Sequence, residues 1–494
     1  MVPFSRSKRK FRLQCLPGTA RNVLHFIAII VLASVPLARA RGQAGGGPAL
    51  SKESQACIAC HQQAAIPLIY QQWSSSGHGS AGIGCYECHK ADRSRPEAFE
   101  HNGYTIAVLV GPKQCGTCHA TEVKQFEGSH HAKAGQILGS LDNVLGDFVE
   151  GEQASVMGCQ KCHGSTVKTV GNGKFDPKTW PNEGIGRINP DGSLGSCSVC
   201  HSRHTFSVAV AREPESCGYC HLGPDHPHIE IYNESKHGVT YRAFINKMNL
   251  GSRTWVLGKD YDAAPTCTTC HMGATKSLPN THDVGTRTSW NLRPEVAFLT
   301  PGWEQKRAEM KQVCSNWHAS DWTDNFYLQY DALVNMSNDK FFIPARDVMT
   351  KLTAAGKITK VPFDSPIKWT YYELWHHQGR RARMGASMMG NDYVQWHGMY
   401  KVAKIFYGEF LLQAEELSPD VTASIRAAAP NAWMKGLTPE TRQQMQQYYE
   451  QMWHAKAPLA GQPTPAPSTG LPTEPARLMT EPNTPKRQTP PPQR

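Results

Sequence analysis

The stretch CGYCHLGPDHPH, residues 217–228, begins with two cysteines two residues apart and a histidine immediately after them. Cys217, Cys220 and His221 have six counterparts elsewhere in the chain. These are Cys57/Cys60/His61, Cys85/Cys88/His89, Cys115/Cys118/His119, Cys159/Cys162/His163, Cys197/Cys200/His201 and Cys267/Cys270/His271. Of 16 cysteines only Cys15 and Cys314 stand outside these motifs. Disulfides suit exported cysteines but give no reason for a histidine after every second one. Zinc sites need two further ligands and no adjacent histidine. Covalent c-type haem attachment uses all three residues, two thiols for the porphyrin vinyl groups and an imidazole beside them for the iron.

Outward from the quoted stretch, the motifs recur 20 to 50 residues apart, without the fixed period of a solenoid. That spacing is too short for each haem to own a domain. The haems must form most of the core, with helices and loops wrapped round them. Residues 171–196, GNGKFDPKTWPNEGIGRINPDGSLGS, read as a surface loop because Gly, Pro, Asn and Asp dominate them. Beyond about residue 295 the character changes. GWEQKRAEMKQVC, KWTYYELWHHQGRRARM, DYVQWHGMYKVAKIFYGEFLLQAEEL and TPETRQQMQQYYEQMWHA have the length and apolar spacing of helices. The expected fold is mainly α, a haem-packed N-terminal part followed by long C-terminal helices.

Four regions are expected. Residues 1–40 carry basic SRSKRKFRLQ, apolar VLHFIAIIVLASVPLA and ARA, the order of a secretory signal peptide. A membrane anchor is the alternative, but the apolar run falls short of the ~20 residues that a span needs. Residues 41–294 form the multihaem region and 295–456 a helical region. Residues 457–494 form a Pro-rich tail too poor in apolar groups to fold. The formal charge of +11 falls to +4 once the seven basic residues of 1–40 are removed (11 − 7), and no basic cluster with interleaved aromatics remains. A nucleic-acid partner is therefore not expected. An exported protein with no membrane span in its mature form, hence periplasmic, is.

A haem ligated by histidine on both faces moves electrons, whereas one with an open face can bind a small substrate. Second axial ligands are expected from His78, His101, His131, His204, His237, His282 and His377. His130 beside His131 and His376 beside His377 leave the choice within each pair open, and His454 reads as a surface residue. In GPDHPH, residues 223–228, Asp225 and His226 stand together between turn residues. A carboxylate beside an imidazole suits chemistry that strips protons together with electrons, although an Asx-turn with an ordinary ligand histidine reads equally well. In CSNWHASDW, residues 314–322, Trp317 replaces the second cysteine of an eighth motif. Cys314 with His318 could hold a haem through one thioether, or the site could be lost with Trp317 filling it.

The motif order resembles the hydroxylamine oxidoreductase family of octahaem c-type cytochromes over roughly residues 55–415. The likeness rests also on SSGHGSAGIGCYECH, CSVCHSRHTFS, CGYCHLGPDHPHIEIYNESKHG, NTHDVGTR and HHQGRRARMGASMMGNDYVQWHG. It implies a mainly helical homotrimer whose fourth haem, on Cys159, Cys162 and His163, is catalytic under Asp225 and His226. It implies further that Tyr393, matching the family's cross-linking tyrosine, bonds to the fourth haem of a neighbouring chain. Tyr400 is the fallback, and an interface or core tyrosine the plainer reading. Trp317 departs from the family pattern and puts the attachment and potential of the eighth haem in doubt.

The resemblance implies eight haems c and oxidation of hydroxylamine to nitric oxide, with loss of three electrons and three protons. Nitrite would need a fourth electron. An exported c-type cytochrome would accept the electrons. Hydrazine as substrate, a reductive nitrite or hydroxylamine enzyme, and a wire with every iron closed are the alternatives. The intact mass of the mature chain, measured after leader removal, should exceed that of the polypeptide by eight haems, and chains joined through tyrosine should survive denaturation.

Overall fold

The computed structural model describes residues 49–63, 67–139, 144–457 and 459. The expected leader and all of the tail beyond 459 lie outside them. Short helices carry most of the motifs: Lys52–His61, Cys85–His89, Cys159–His163 and Cys267–His271. Each ends on its motif histidine because the two thiols and the imidazole must share one turn to face one porphyrin. Among the described residues strands are limited to three antiparallel two-stranded ribbons, such as Phe99–His101 with Tyr104–Ile106. The expectation of a mainly α fold is met.

The long helices lie where the apolar period places them: Trp303–Cys314, Ser320–Ser337, Ile343–Ala354 and Pro439–Met452. The last starts on Thr438, whose hydroxyl accepts from the Thr441 amide at 3.3 Å, with Pro439 at the first position. Residues 366–387 run as a helix interrupted by a widened π turn, Glu373–Gly379. The apolar faces close a core around Phe342, Leu352, Leu374, Val402, Phe406 and Leu411, all buried. Among the described residues no helix is long and apolar enough to cross a membrane.

Two sets of bonds tie this core to the motif-bearing part. Arg307 grips Asp331 through two nitrogens (2.6 and 2.9 Å), and Trp290 Nε1 donates to the same carboxylate at 2.8 Å. Arg383, fully buried, donates to the carbonyls of Gly379, Pro294 and Glu295.

Residues 171–196 depart from the surface loop that their composition suggests. The stretch 184–187 is buried and packs beneath the fourth motif, with the Ile185 and Gly186 amides donating to the carbonyls of Cys162 (2.9 Å) and His163 (3.1 Å). A Cβ on Gly184 would stand 2.0 Å from the Gly164 nitrogen, and one on Gly186 2.4 Å from the Gly135 nitrogen. The glycines here serve close backbone approach rather than exposure. Phe406→Ala should cost about 3–5 kcal/mol, because it empties a fully buried aromatic site; a lowered denaturation midpoint with unchanged haem content checks this.

Candidate functional site

An iron held between two imidazole nitrogens at about 2 Å each separates the ring centres by about 6 Å. The structure brings five motif histidines to this distance from a second histidine. His61 faces His101 at 6.1 Å, His119 faces His78 at 6.1 Å and His89 faces His204 at 6.4 Å. His221 faces His131 at 6.0 Å, and His318 of the eighth site faces His237 at 6.3 Å. The pairs join residues up to 115 positions apart (204 − 89), so local structure does not account for them. His78 and His282 also bury an Nδ1 that has no partner among the described residues. These residues fit c-type haem.

The electrostatics agree. A histidine binds metal as the neutral imidazole. Burial, helped by neighbouring cations, lowers His131 to about 4, and burial with the charges of His282 and His119 lowers His201 to about 4. Burial likewise lowers His78, His89, His204, His221, His237 and His318. His282 thus lies near His201. His377 makes ring contacts with Tyr372 and His376, at 5.7 and 5.2 Å, and none to a motif histidine among the described residues.

The cysteines give the order of the motifs in space. Thiols of different motifs hydrogen-bond at Cys115/Cys197, Cys162/Cys220 and Cys217/Cys267. Mutual charge effects link Cys57 with Cys85, Cys88 with Cys115, Cys200 with Cys217, and Cys270 with Cys314. Motifs one, two, three, five, six, seven and eight therefore form a continuous row, and the fourth branches from the sixth. Sulfurs that touch bring the porphyrin edges they carry together, which favours rapid electron transfer.

Two attachment cysteines correct the expectation that the haem sites are enclosed as a core. Cys60 and Cys118 are exposed, whereas the other motif cysteines and Cys314 are partly buried. In the first and third motifs it is the leading thiol that meets a neighbouring motif, Cys57 at Cys85 and Cys115 at Cys197. The second cysteine of each then ends on the outer side of the row, at the surface. A thioether at Cys60 or Cys118 would lie at a solvent-facing porphyrin edge, not inside the protein.

At the branch lies the Asp225–His226 pair. His226 Nδ1 donates to Asp225 in a short hydrogen bond, and its Nε2 donates to the Cys220 carbonyl at 2.8 Å. Both ring nitrogens thus face oxygen acceptors, an arrangement suited to the protonated imidazole and not to an iron ligand. Burial alone would lower the His226 pKa, but the hydrogen bond and charge of Asp225, with the Cys220 carbonyl, override it and raise the value. Burial would raise Asp225, yet the bond to His226 and the charges of His226, His376 and Arg380 hold it well below the ordinary carboxylate range. Arg380 Nη1 donates to Asp225 Oδ2 at 3.0 Å and His376 Nε2 stands 4.0 Å from it, while Arg381 donates to the Pro224 carbonyl at 2.6 Å. His226 also acts electrostatically on Cys162 of the fourth motif.

Arg380 and His376 enter from the π turn and the helix after it, 150 residues or more from Asp225 in sequence, and no local periodicity marks them. His228 is a further histidine beyond the expected set. Its Nδ1 donates to the His226 carbonyl at 2.9 Å, which turns Nε2 outward as a ligand requires, and the charge of His271 acts on it. The HPH spelling was its only trace. Tyr393 lies half-buried in the short helix Asn391–Val394, stacked on His397 at 5.2 Å beside exposed Trp396 and Tyr400. Gly385 and Gly398 let flanking turns close on it, since a Cβ on either would stand 2.9 Å or less from the Tyr393 backbone.

Residues 192–362 match the family model described as seven times multi-haem cytochrome CxxCH, and residues 114–202 match cytochrome c554 and c-prime. A probable nitrite reductase-hydroxylamine oxidoreductase fusion protein of Kuenenia stuttgartiensis is 27% identical over 254 residues, 44% of this chain and 25% of that protein. C-type polyheme cytochrome OmcC of Geobacter sulfurreducens is 26% identical over 239 residues, 40% of this chain and 28% of that one. The chain thus spans about a quarter of the length of these relatives. Among solved structures, a hypothetical multiheme protein superposes with a TM-score of 0.67 at 24% identity, over 75% of this chain and 97% of that chain. A chain of the Kuenenia stuttgartiensis reducing HAO-like protein complex gives 0.57 at 18%, over 76% and 87%. The chain is a multihaem c-type cytochrome with HAO-like relatives. His131→Ala should open the sixth motif's iron, adding one carbon monoxide-binding haem per chain to the reduced spectrum at unchanged haem count.

Proposed function

We propose that this chain oxidises hydroxylamine at the haem on Cys159, Cys162 and His163, giving nitric oxide, and that the other haems carry the electrons away. The observation that carries this reading is the Asp225–His226 pair at the branch of the motif row, a base held close to Cys162 in a protein whose ligand histidines are driven neutral. The haem, when bound, supplies the sink for electrons from the substrate nitrogen. The remaining work falls to the chain. His226, its pKa raised towards neutral pH where a general base operates, takes up substrate protons. Asp225 steadies the charged imidazole, and Arg380 keeps Asp225 ionised and aimed. Hydroxylamine gives up three protons and three electrons, and the Cys162/Cys220 contact favours passage of the electrons to the sixth haem.

The oxidative direction follows from the resemblance at Tyr393. A phenol bonded to the porphyrin interrupts its conjugation and tunes the cofactor. The exposed aromatic surface of Trp396 and Tyr400 beside Tyr393 supports donation of that residue to a second copy in a homotrimer. Export to the periplasm and an exported c-type cytochrome as acceptor complete the reading.

Assay of hydroxylamine oxidation tests it. His226→Gln and Asp225→Asn should lower kcat about 10²–10³-fold at unchanged haem content, the loss expected for a missing general base. Tyr393→Phe should release denatured chains as monomers and abolish oxidation. Wild-type chains that separate as monomers and reduce nitrite or hydroxylamine would reverse the direction, and a reduced protein that binds no carbon monoxide would make it a wire.

A further inference from the structure

The aromatic residues round His318 take no part in the proposed chemistry. His318 lies in the turn between the helices Trp303–Cys314 and Ser320–Ser337. Trp322, four residues on, lays its indole face to face on the imidazole, with ring centres 4.0 Å apart and planes 11° apart. Phe326 stacks behind Trp322 at 5.9 Å, and buried Tyr330 behind Phe326 at 6.0 Å. Spacing of four residues along one helix builds this column. Trp317 does not join it. Its Nε1 donates to the Asp262 carbonyl at 3.0 Å and 36% of the residue is exposed, so the side chain replacing the second cysteine is tied outward. His318 accordingly keeps its 6.3 Å separation from His237.

We infer that Trp322 substitutes for the missing thioether: it is a positioning residue that fixes the ring plane of His318 and shields its bond to the iron of a haem held by Cys314 alone. The inference rests on the eight-haem reading. Two thioethers hold a porphyrin edge at two points, whereas one leaves it free to swing about a single sulfur. The axial imidazole must then resist that swing, and an imidazole free to rotate about its Cβ–Cγ bond resists it poorly. A parallel indole removes the rotation and excludes water from one face. Aromatic stacking of this kind biases an equilibrium about 2- to 10-fold. The other seven motifs have both cysteines, so the need for such a clamp arises only here.

The test is carbon monoxide titration of the reduced holoprotein with intact-mass haem counting. Trp322→Ala should add one carbon monoxide-binding haem per chain relative to wild type, with affinity at that haem raised up to about tenfold. Trp322→Leu, which keeps apolar bulk without the ring, should behave alike and guards against a folding failure. Trp322→Phe should restore the wild-type spectrum, and so should Trp317→Cys placed in the Trp322→Ala background, because it supplies the second thioether. Eight haems with carbon monoxide binding unchanged in both Trp322→Ala and Trp322→Leu would overturn the inference while leaving the eight-haem reading intact. Seven haems in wild type would overturn that reading, and the inference with it.

Discussion

An imidazole facing an imidazole across about 6 Å is the constraint on which this molecule is built. Each such pair joins a motif histidine to one brought from elsewhere in the chain, as His89 is joined to His204 and His318 to His237. A domain of this length would ordinarily bury a continuous apolar core. Here the apolar cores are separate clusters, the largest in the C-terminal helices, and the motif region is organised by thiol and imidazole positions instead. The haem groups are therefore structural members as well as electron carriers.

Two kinds of histidine follow from one physical variable, the balance between burial and a neighbouring charge. His131 and His201 are buried without a carboxylate bound to the ring and are pushed to about 4, as ligands should be. His226 is also buried, but Asp225 on one nitrogen and a carbonyl on the other reverse the effect. Asp225 stays ionised in turn because Arg380 reaches it from the helix after the π turn. Turns of this kind often accompany functional sites, since the extra residue redirects side chains that a regular helix would aim elsewhere. The long C-terminal helices thus do more than pack: they deliver Arg380, His376 and Tyr393 to the neighbourhood of the motif row.

The eighth site shows how a lost covalent bond need not mean a lost position. Trp317 is bonded outward to Asp262, and the His237–His318 separation matches that of sites with both cysteines.

The sequence alone determined the cofactor class, because Cys-x-x-Cys-His is a local covalent requirement that needs no tertiary context, and it placed the long helices through their apolar period. It also picked out Asp225 with His226, which are neighbours in the chain. Only the tertiary structure decided which histidines face one another, that the fourth motif branches from the sixth, that Cys60 and Cys118 come to the surface, and that the glycine-rich stretch 184–187 is buried support. Arg380, His376 and His228 were illegible for the same reason: their roles depend on distances between residues far apart in sequence or on the direction of a ring nitrogen. Spacing encodes what one helical turn presents to one porphyrin; the packing of the whole chain sets everything that passes between turns.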